Sequence, residues 1–473
     1  MKALIIEATP ATPHAETALE IAIKENLSGS EVIYCPIFHL FPYLIWKSNI
    51  NGRNATGKVD SIADWLSYLT SVVSPYAEVD LFSLKSIPNY LNESIKQDIF
   101  DFSYDSQPLG KLVKSNAIEI FKTIDADAIL NDNRATCEGL AQTAILVYEL
   151  SLLLIRKHRP DLVYLFNGGT VGTHPIFLAS QKLGVSTLVH ERGSSKNTYI
   201  IWDRPSQYVD EFKKHINQYA RGRSAHEARL SAATFFYRQR HGRVNNFGII
   251  NAQDHHLDIS IPGCHARFVV YFTSSNNELL FMPGQEYANA LGSQDEVLTT
   301  LARVCAEENI QLIIKMHPNT PVTEQAAYEQ YSNALRILSR TCCCVTEQAA
   351  YEQYSNGDKC IVISADSSIS SYKLGEMAYR NFSYGSTITW ELMYAGKPCA
   401  PLADSYGGGE EGVLTLDSEE AIRDYLLNPL PSINRQFPIK YADFMCAHGE
   451  NYDFYRPETL FTGTFDVELT VAI

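Results

Sequence analysis

The sequence predicts an α/β protein of two Rossmann-like domains, each a parallel, doubly wound sheet, and three observations carry that expectation. Short apolar runs recur and are followed by helix-length amphipathic segments, the alternation that feeds a parallel sheet. One complete strand-loop-helix-strand unit stands out at 160–189. The chain has 473 residues, more than one hydrophobic core usually organises, and a polar stretch broken by Pro262-Gly263 divides it near 245–265.

In chain order, residues 2–6 (KALII) read as a buried strand, the segment from Thr9-Pro10 to His14 as a loop, 16–26 as a helix and 32–36 as a second strand. Residues 50–110 are aromatic and irregular. Residues 113–158 read as two helices, the second apolar on every side and therefore buried. Pro160-Asp161 introduces a strand at 162–166, the loop Asn167-Gly168-Gly169-Thr170 follows, a helix runs to Leu183, and the strand at 185–189 ends at His190-Glu191-Arg192-Gly193. Residues 206–243 read as helical and basic, carrying Lys213, Lys214, Arg221, Arg223, Arg229, Arg238, Arg240 and Arg243. Such a stretch is either a solvated face or a surface for an anionic acceptor or a lipid headgroup.

The second α/β domain begins with a strand at 267–273 that ends in Ser274-Ser275-Asn276-Asn277-Glu278. A helix at 295–308 and a strand at 310–316 ending in His317-Pro318-Asn319 follow, then a strand at 361–364. An apolar helix face (Leu374, Met377, Ala378) leads into the turn Tyr384-Gly385-Ser386-Thr387, and a helix from Ile388 stops at Gly396-Lys397-Pro398. A last helix spans 418–428. The expected division is 1–250 for an N-terminal, acceptor-side domain, 251–425 for a C-terminal, nucleotide-binding domain, and 426–473 for a tail that packs back on the first domain. VTEQAAYEQYSN occurs at 322–333 and again at 345–356. One perfect pair is no solenoid, and 334–356 is expected to be a surface insertion.

Composition narrows the function classes. A net charge of −15 and a pI near 5.4 argue against broad nucleic-acid binding, which needs many cations on phosphates. The ten cysteines form no C-x-x-C pair, so reduced core thiols are expected, with no disulfide framework and no metal site. MKALIIEATP reads as a first strand and not a signal peptide, and Leu140–Ile155 carries Gln142 and Glu149, too short and polar a run for a membrane span. The expected location is cytoplasmic, with any membrane contact peripheral.

Four strand ends supply polar groups: Glu191, Asn276 to Glu278, His317, and the Ser386-Thr387 turn. Ligands of open α/β sheets bind beyond the carboxyl ends of the strands. A helix start with free N–H groups holds a phosphate, a carboxylate serves as base or nucleophile, and an imidazole stabilises a leaving phosphate. Together these meet the needs of glycosyl transfer from a nucleotide donor. Each has a plainer reading: Glu191 pairs with Arg192, His317-Pro318 is a turn, Ser386 caps a helix. Asp125-Ala126-Asp127 lies in a helical segment and is set aside as a metal motif, and Gly407–Gly412, with Glu410 and Glu411, reads as a flexible loop.

The pieces TPATPHAETALEIA, LVYLFNGG, LVHERG, VVYFTSSNNE, IIKMHPN and DSSISSYKLGEMAYRNFSYGSTITWELMYAGKP, in that order, resemble bacterial capsule and O-antigen (lipopolysaccharide) polysaccharide biosynthesis proteins. Among these they look most like the retaining β-Kdo glycosyltransferases, where Kdo is 3-deoxy-D-manno-octulosonic acid. The resemblance spans roughly residues 1–415 and implies a GT-B-type fold, two domains facing a cleft, with CMP-Kdo as donor and no cofactor. It implies that His317, Ser386 and Thr387 hold the CMP phosphate, that Glu191 is a catalytic carboxylate, that Ser371 and Tyr372 flank the nucleotide, and that Glu391 contacts it.

Two positions depart from that pattern. Gly169 stands where the family usually has Arg, and Asn276 and Asn277 stand where it has acids, one of them the nucleophile of a double displacement. An amide cannot form that covalent sugar intermediate. Three readings follow: Glu278 takes the role by a one-residue shift, Glu191 acts as base in a single inverting step, or the protein is a degenerate copy. The function implied is a transferase of Kdo from CMP-Kdo to a surface polysaccharide or its lipid-linked precursor, in peripheral contact with the inner membrane. The alternatives are a transferase with another nucleotide-sugar donor, or a nucleotide-binding partner in polysaccharide assembly without catalysis.

Overall fold

The computed structural model describes residues 1–43, 62–82, 87–121, 123, 125–205, 208–241, 267–274, 290–318, 320, 343–345, 360–403, 406–414, 416–429, 432–459 and 462–466. The first sheet grows from β1 (Lys2–Glu7), α1 (His14–Leu27) and β2 (Glu31–Pro36). Next come α2 (Ile62–Val73), the two-residue β3 (Glu78–Val79), α3 (Glu93–Gln97) and α4 (Leu109–Phe121). α5 (Ala126–His158) leads to β4 (Leu162–Phe166), α6 (His174–Leu183), β5 (Ser186–Arg192) and β6 (Thr198–Trp202). Strands β3, β2, β1, β4 and β5 are parallel neighbours, as the alternation predicts. β6 folds back antiparallel on β5, so Glu191 lies inside a strand, opposite Ile200, and not in a loop beyond it.

α5 is long and apolar enough to cross a membrane by length and composition, yet 78% of that window is buried inside the protein. It is a core helix, packed between α4 and α6. Asp125 is its N-cap and accepts the Ala128 N–H at 2.9 Å, which accounts for the first Asp of the D-x-D triplet.

Two helices, α7 (Val209–Arg221) and α8 (Ala225–Arg240), follow the first sheet. The second sheet takes β7 (Phe268–Phe272), α9 (Gln294–Glu307), β8 (Gln311–Lys315), β9 (Cys343–Val345) and β10 (Cys360–Ile363). It is completed by α10 (Ser371–Met377), β11 (Arg380–Ser383), α11 (Ile388–Tyr394) and β12 (Cys399–Pro401). The order is β12-β11-β7-β8-β10-β9 and every pairing is parallel. Two parallel sheets flanked by helices make the α/β class with two Rossmann-like halves.

β11 and β12 escape the apolar pattern. Arg380, Asn381 and Ser383 are buried on β11 and most of their polar atoms have partners: Arg380 donates to the Tyr425, Tyr379 and Asn428 carbonyls, Asn381 Nδ2 to those of Gly375 and Pro398, and the Ser383 hydroxyl bonds that of Thr389, while Asn381 Oδ1 has no partner. Within 334–356, the backbone of Cys343–Val345 runs as the edge strand beside β10, so this part of the expected surface insertion belongs to the sheet. The rest of that segment, the first copy of the repeat and the 245–265 divide lie outside the described residues.

After α12 (Glu419–Leu427), α13 (Gln436–Ala447) returns to pack on α8, α7 and α11. β13 (Glu450–Asn451) then adds antiparallel to β6, and β14 (Tyr455–Pro457) pairs with β15 (Gly463–Phe465). Glu20, in the middle of α1 and fully buried, fastens this tail by accepting the N–H groups of Asp453, Phe454 and Tyr455. Phe437, Tyr441 and Phe444 of α13 join the cluster that includes Val163 of the first sheet and Val270 and Ile313 of the second. Burial of each such side chain contributes about 2 kcal/mol. The stretch 406–412 is packed, not flexible: Glu410 binds Lys440 at 3.0 Å and Asn217 at 2.9 Å, and a Cβ on Gly407 would meet Trp390 at 2.4 Å.

Candidate functional site

At the carboxyl edge of the first sheet, the chain leaves β4 through Asn167 at φ 58° and Gly168 at φ 75°. That left-handed pair turns the chain sharply, and a Cβ on Gly168 would meet Pro205 Cγ at 2.6 Å. The turn aims Asn167 at its neighbour strand. Its Nδ2 donates to Glu191 Oε2 at 2.6 Å while its Oδ1 accepts the Gly169 N–H at 2.9 Å. Glu191 Oε1 accepts the Arg192 N–H at 3.0 Å. Burial raises the Glu191 pKa, and the Asn167 and Arg192 hydrogen bonds offset part of that rise.

Other titratable groups crowd the same edge. Glu7, the last residue of β1, accepts the Thr9 N–H at 2.6 Å and is pushed up to about 8 by burial and by the neighbouring Glu16. Glu16, hydrogen-bonded by Thr12 Oγ1 at 2.9 Å, is raised to about 7 by burial. His14, at the start of α1, stacks on Phe166 at 3.9 Å, and burial with the Arg192 charge holds it neutral. His190 is lowered to about 3 by burial and its Nδ1 has no partner. Residue reading assigned no role to Glu7, His14 or Glu16; the signal available was a Glu closing an apolar run and a His and Glu opening the next helix.

The second sheet's carboxyl edge is built from hydroxyls and cations. His317 follows β8, is half-buried, and donates its N–H to Thr273 Oγ1 at 2.8 Å. Ser274 is pinned through both backbone groups by Gln294, at 2.7 and 2.9 Å, and its hydroxyl donates to the Tyr384 carbonyl. Gly385 at φ 77° turns the chain into α11. Thr387 has helical angles and its side chain caps no N–H; the N–H groups of Thr389 and Trp390 bond back to Ser386 and Thr387 carbonyls at 3.2 and 3.0 Å. Ser386 is half-buried and Thr387 exposed.

Tyr372, Thr387 and Glu391 come together. Burial raises the Glu391 carboxyl to about 7, and hydrogen bonds from Tyr372 and Thr387 work against that rise. Its Oε2 is sealed from solvent without a partner. Ser371 opens α10 one residue after the cap Ser370. Lys315, at the end of β8, joins this edge, and a lysine inside the apolar run IIKM is the signal sequence reading offers for it. Its Nζ donates to the Ser364 carbonyl at 2.9 Å, and burial lowers it to about 8. The hydrogen bonds of Glu191 stay within the first sheet and do not reach His317 or the 384–387 turn. Asn276, Asn277 and Glu278 lie outside the described residues.

The fold and these edges define an α/β protein of two parallel-sheet halves with polar strand ends. No family model and no curated protein matches the chain. Among solved structures it is similar to the Thermosulfurimonas dismutans KpsC β-Kdo 2,4 transferase, at 10% identity over 66% of this chain and 86% of that one, TM-score 0.37. The β-Kdo 2,7 transferase of the same KpsC follows at 12% identity, 67% and 86% coverage, TM-score 0.34. The Methanocaldococcus jannaschii UDP-GlcNAc 2-epimerase is similar at 12% identity, 94% and 99% coverage, TM-score 0.28.

Proposed function

We propose that the chain is a glycosyltransferase that moves a sugar, Kdo from CMP-Kdo, onto a surface polysaccharide or its lipid-linked precursor. The observation that carries the reading is the Glu191 carboxyl at the carboxyl edge of the first sheet, held by Asn167 and Arg192 and made more basic by burial. In the inverting form of the reaction, Glu191 takes the proton of an acceptor hydroxyl. That oxygen bonds to the anomeric carbon as the carbon–phosphate oxygen bond breaks, and CMP leaves with the electron pair. His317 and the Ser386-Thr387 turn receive the phosphate, while Ser371, Tyr372 and Glu391 line the nucleotide side. In the retaining form, Glu278 attacks first and Glu191 serves the acceptor. A cytoplasmic protein touching the inner membrane only peripherally suits a lipid-linked acceptor.

The test is incubation with CMP-Kdo and Kdo- or galactose-terminated acceptors, with Glu191→Gln as partner. Transfer falling about 10²–10⁴-fold with CMP binding intact supports the reading; loss of both together removes Glu191 as a purely catalytic group. The amides Asn276 and Asn277 favour a second reading, a nucleotide-binding assembly partner without catalysis. Thermal shifts with CMP, UDP and GDP separate the two: stabilisation by CMP without turnover selects the partner, and stabilisation by UDP or GDP instead selects another donor.

A further inference from the structure

Outside both strand-end sites, three side chains from distant parts of the sequence converge. Cys35 Sγ near the end of β2, a carboxylate oxygen of Asp80 just past β3, and a ring nitrogen of His158 at the end of α5 all lie within 4.8 Å of one another. We propose that Cys35, Asp80 and His158 form a binding site for a thiophilic divalent transition metal, with zinc the ion whose ligand preferences they match.

The three ligand atoms lie within 4.8 Å of one another, close enough to converge on one ion with local side-chain movement. Zinc with sulfur, nitrogen and oxygen ligands keeps them about 3.3–3.7 Å apart in a tetrahedron. His158 Nε2 and Asp80 Oδ2 share a hydrogen bond at 2.7 Å, so the ion takes the place of the shared proton and opens that gap by about half an ångström. The ligands are enclosed: Cys35 is fully buried, and the His158 and Asp80 side chains are 6% and 12% exposed. Lys157, 55% exposed, places its Nζ 2.6 Å from the same Asp80 oxygen. It is the counter-ion of the metal-free site and has room to swing into solvent.

Charge and protons balance without any redox step. Thiolate, carboxylate and neutral imidazole offset a divalent ion; the thiol proton passes to solvent, and the imidazole keeps its single N–H proton at Nδ1 when Nε2 binds the ion. Without metal, burial keeps the Cys35 thiol protonated. The fourth position is left for water. The other cluster of metal-ligating groups among the described residues, Asp203, Glu211 and His215, offers no sulfur, and its carboxylates already pair with Arg204 and Lys214. The proposed ion clips together β2, the exit of β3 and the end of α5. β3 is two residues long and, among the described residues, pairs with β2 alone, so it gains most from such a clip. Ligands at 35, 80 and 158 leave no spacing motif for sequence reading to find.

The experiment is titration of the metal-stripped full chain with cobalt(II), followed by near-UV thiolate-to-cobalt absorption and tetrahedral visible bands. One equivalent is expected, displaced by zinc, and Cys35→Ser abolishes its thiolate band while circular dichroism shows the fold retained. Lys157→Met tightens binding several-fold because the competing ammonium is gone, an outcome that misfolding does not imitate. Absorption that persists in both Cys35→Ser and His158→Gln belongs to other thiols, such as Cys342–Cys344, and overturns the proposal. So does an absence of binding, or a Lys157→Met affinity equal to that of the unaltered chain.

Discussion

The carboxyl edge of the first sheet buries the carboxyls Glu7 and Glu16, and that of the second buries an amine, Lys315, beside a single carboxyl, Glu391. Glu7 and Glu16 are raised from 4.5 to about 8 and about 7, while Lys315 is lowered from 10.5 to about 8. Desolvation is the first cause in each case, and it pushes acid and base toward neutrality from opposite sides. Glu7 and Glu16 on the first edge and Lys315 on the second therefore respond to pH with opposite signs, and Glu391 follows the carboxyls. Their satisfaction also differs: Lys315 has a carbonyl partner, whereas Glu7 Oε2, Glu16 Oε2 and the adjacent Tyr34 hydroxyl have none. Tension of the kind that accompanies function or hydration is spread over three groups on the first edge and sits on Glu391, whose Oε2 also has no partner, on the second.

The largest effect is expected at Glu20, the first sheet's satisfied counterexample. Glu20→Ala leaves two buried backbone N–H groups of the tail, those of Phe454 and Tyr455, and the part-buried one of Asp453 without an acceptor, at a cost of about 4 kcal/mol. Urea unfolding should show that loss, with the β14–β15 hairpin released first in hydrogen exchange. If Glu20→Ala matches the parent protein, the tail is held by its aromatic packing instead.

Next comes the pH dependence of the first edge. A carboxyl whose folded pKa lies above its unfolded value binds more protons when folded, so stability falls as pH rises from about 4.5 toward the folded values of about 7 and 8. The fall should amount to a few kcal/mol and level off beyond about pH 8. Carboxylates lowered by ion pairs, such as Asp80 and Glu419, are already ionised throughout this window. Glu16→Gln should flatten the curve and stabilise the protein at its alkaline end. An unchanged curve would place the tension elsewhere.

The contrast also explains what could be read from the sequence. Apolar runs such as Lys2–Ile6 and Ile310–Met316 announce their strands because burial on both faces demands hydrocarbon. β11 was invisible because Arg380 and Asn381 are buried through partners at Tyr425, Gly375 and Pro398, which only the tertiary fold supplies. Glu191, His317 and Ser386-Thr387 were legible because they follow apolar runs or turn signals. Their neighbours Glu7, Glu16 and Lys315 give only a weak signal, since a charged residue at the end of a strand or in the first turn of a helix looks the same in sequence whether it is solvated or sealed.

For Lys315 on the second edge the sign reverses. A lysine with its folded pKa below the unfolded value is deprotonated first in the folded state, so stability rises as pH passes from about 8 to 10.5. Lys315→Met should remove that rise and, near neutral pH, stabilise the protein by about 1–2 kcal/mol, the relieved desolvation exceeding the lost bond to the Ser364 carbonyl. Hydrogen exchange in β8 and β10 assigns the effect to this sheet. A destabilised Lys315→Met protein would mean that the hydrogen bond outweighs the burial of charge.

The smallest effect belongs to the hydroxyls of the turn that the second edge presents, half-buried at Ser386 and exposed at Thr387. Ser386→Ala removes one hydroxyl from the proposed phosphate turn and leaves its backbone in place, so CMP binding should weaken about five- to tenfold, the worth of one hydrogen bond. Because α11 begins with two of its N–H groups already bonded to Ser386 and Thr387 carbonyls, the side-chain share of phosphate binding should be larger here than at a helix start with all its N–H groups open. Calorimetry with CMP measures it, and Glu191→Gln, altered on the other sheet, should leave the same affinity unmoved. If Ser386→Ala binds CMP as tightly as the parent while His317→Ala does not, the phosphate is held from β8, and the 384–387 turn serves only to start α11.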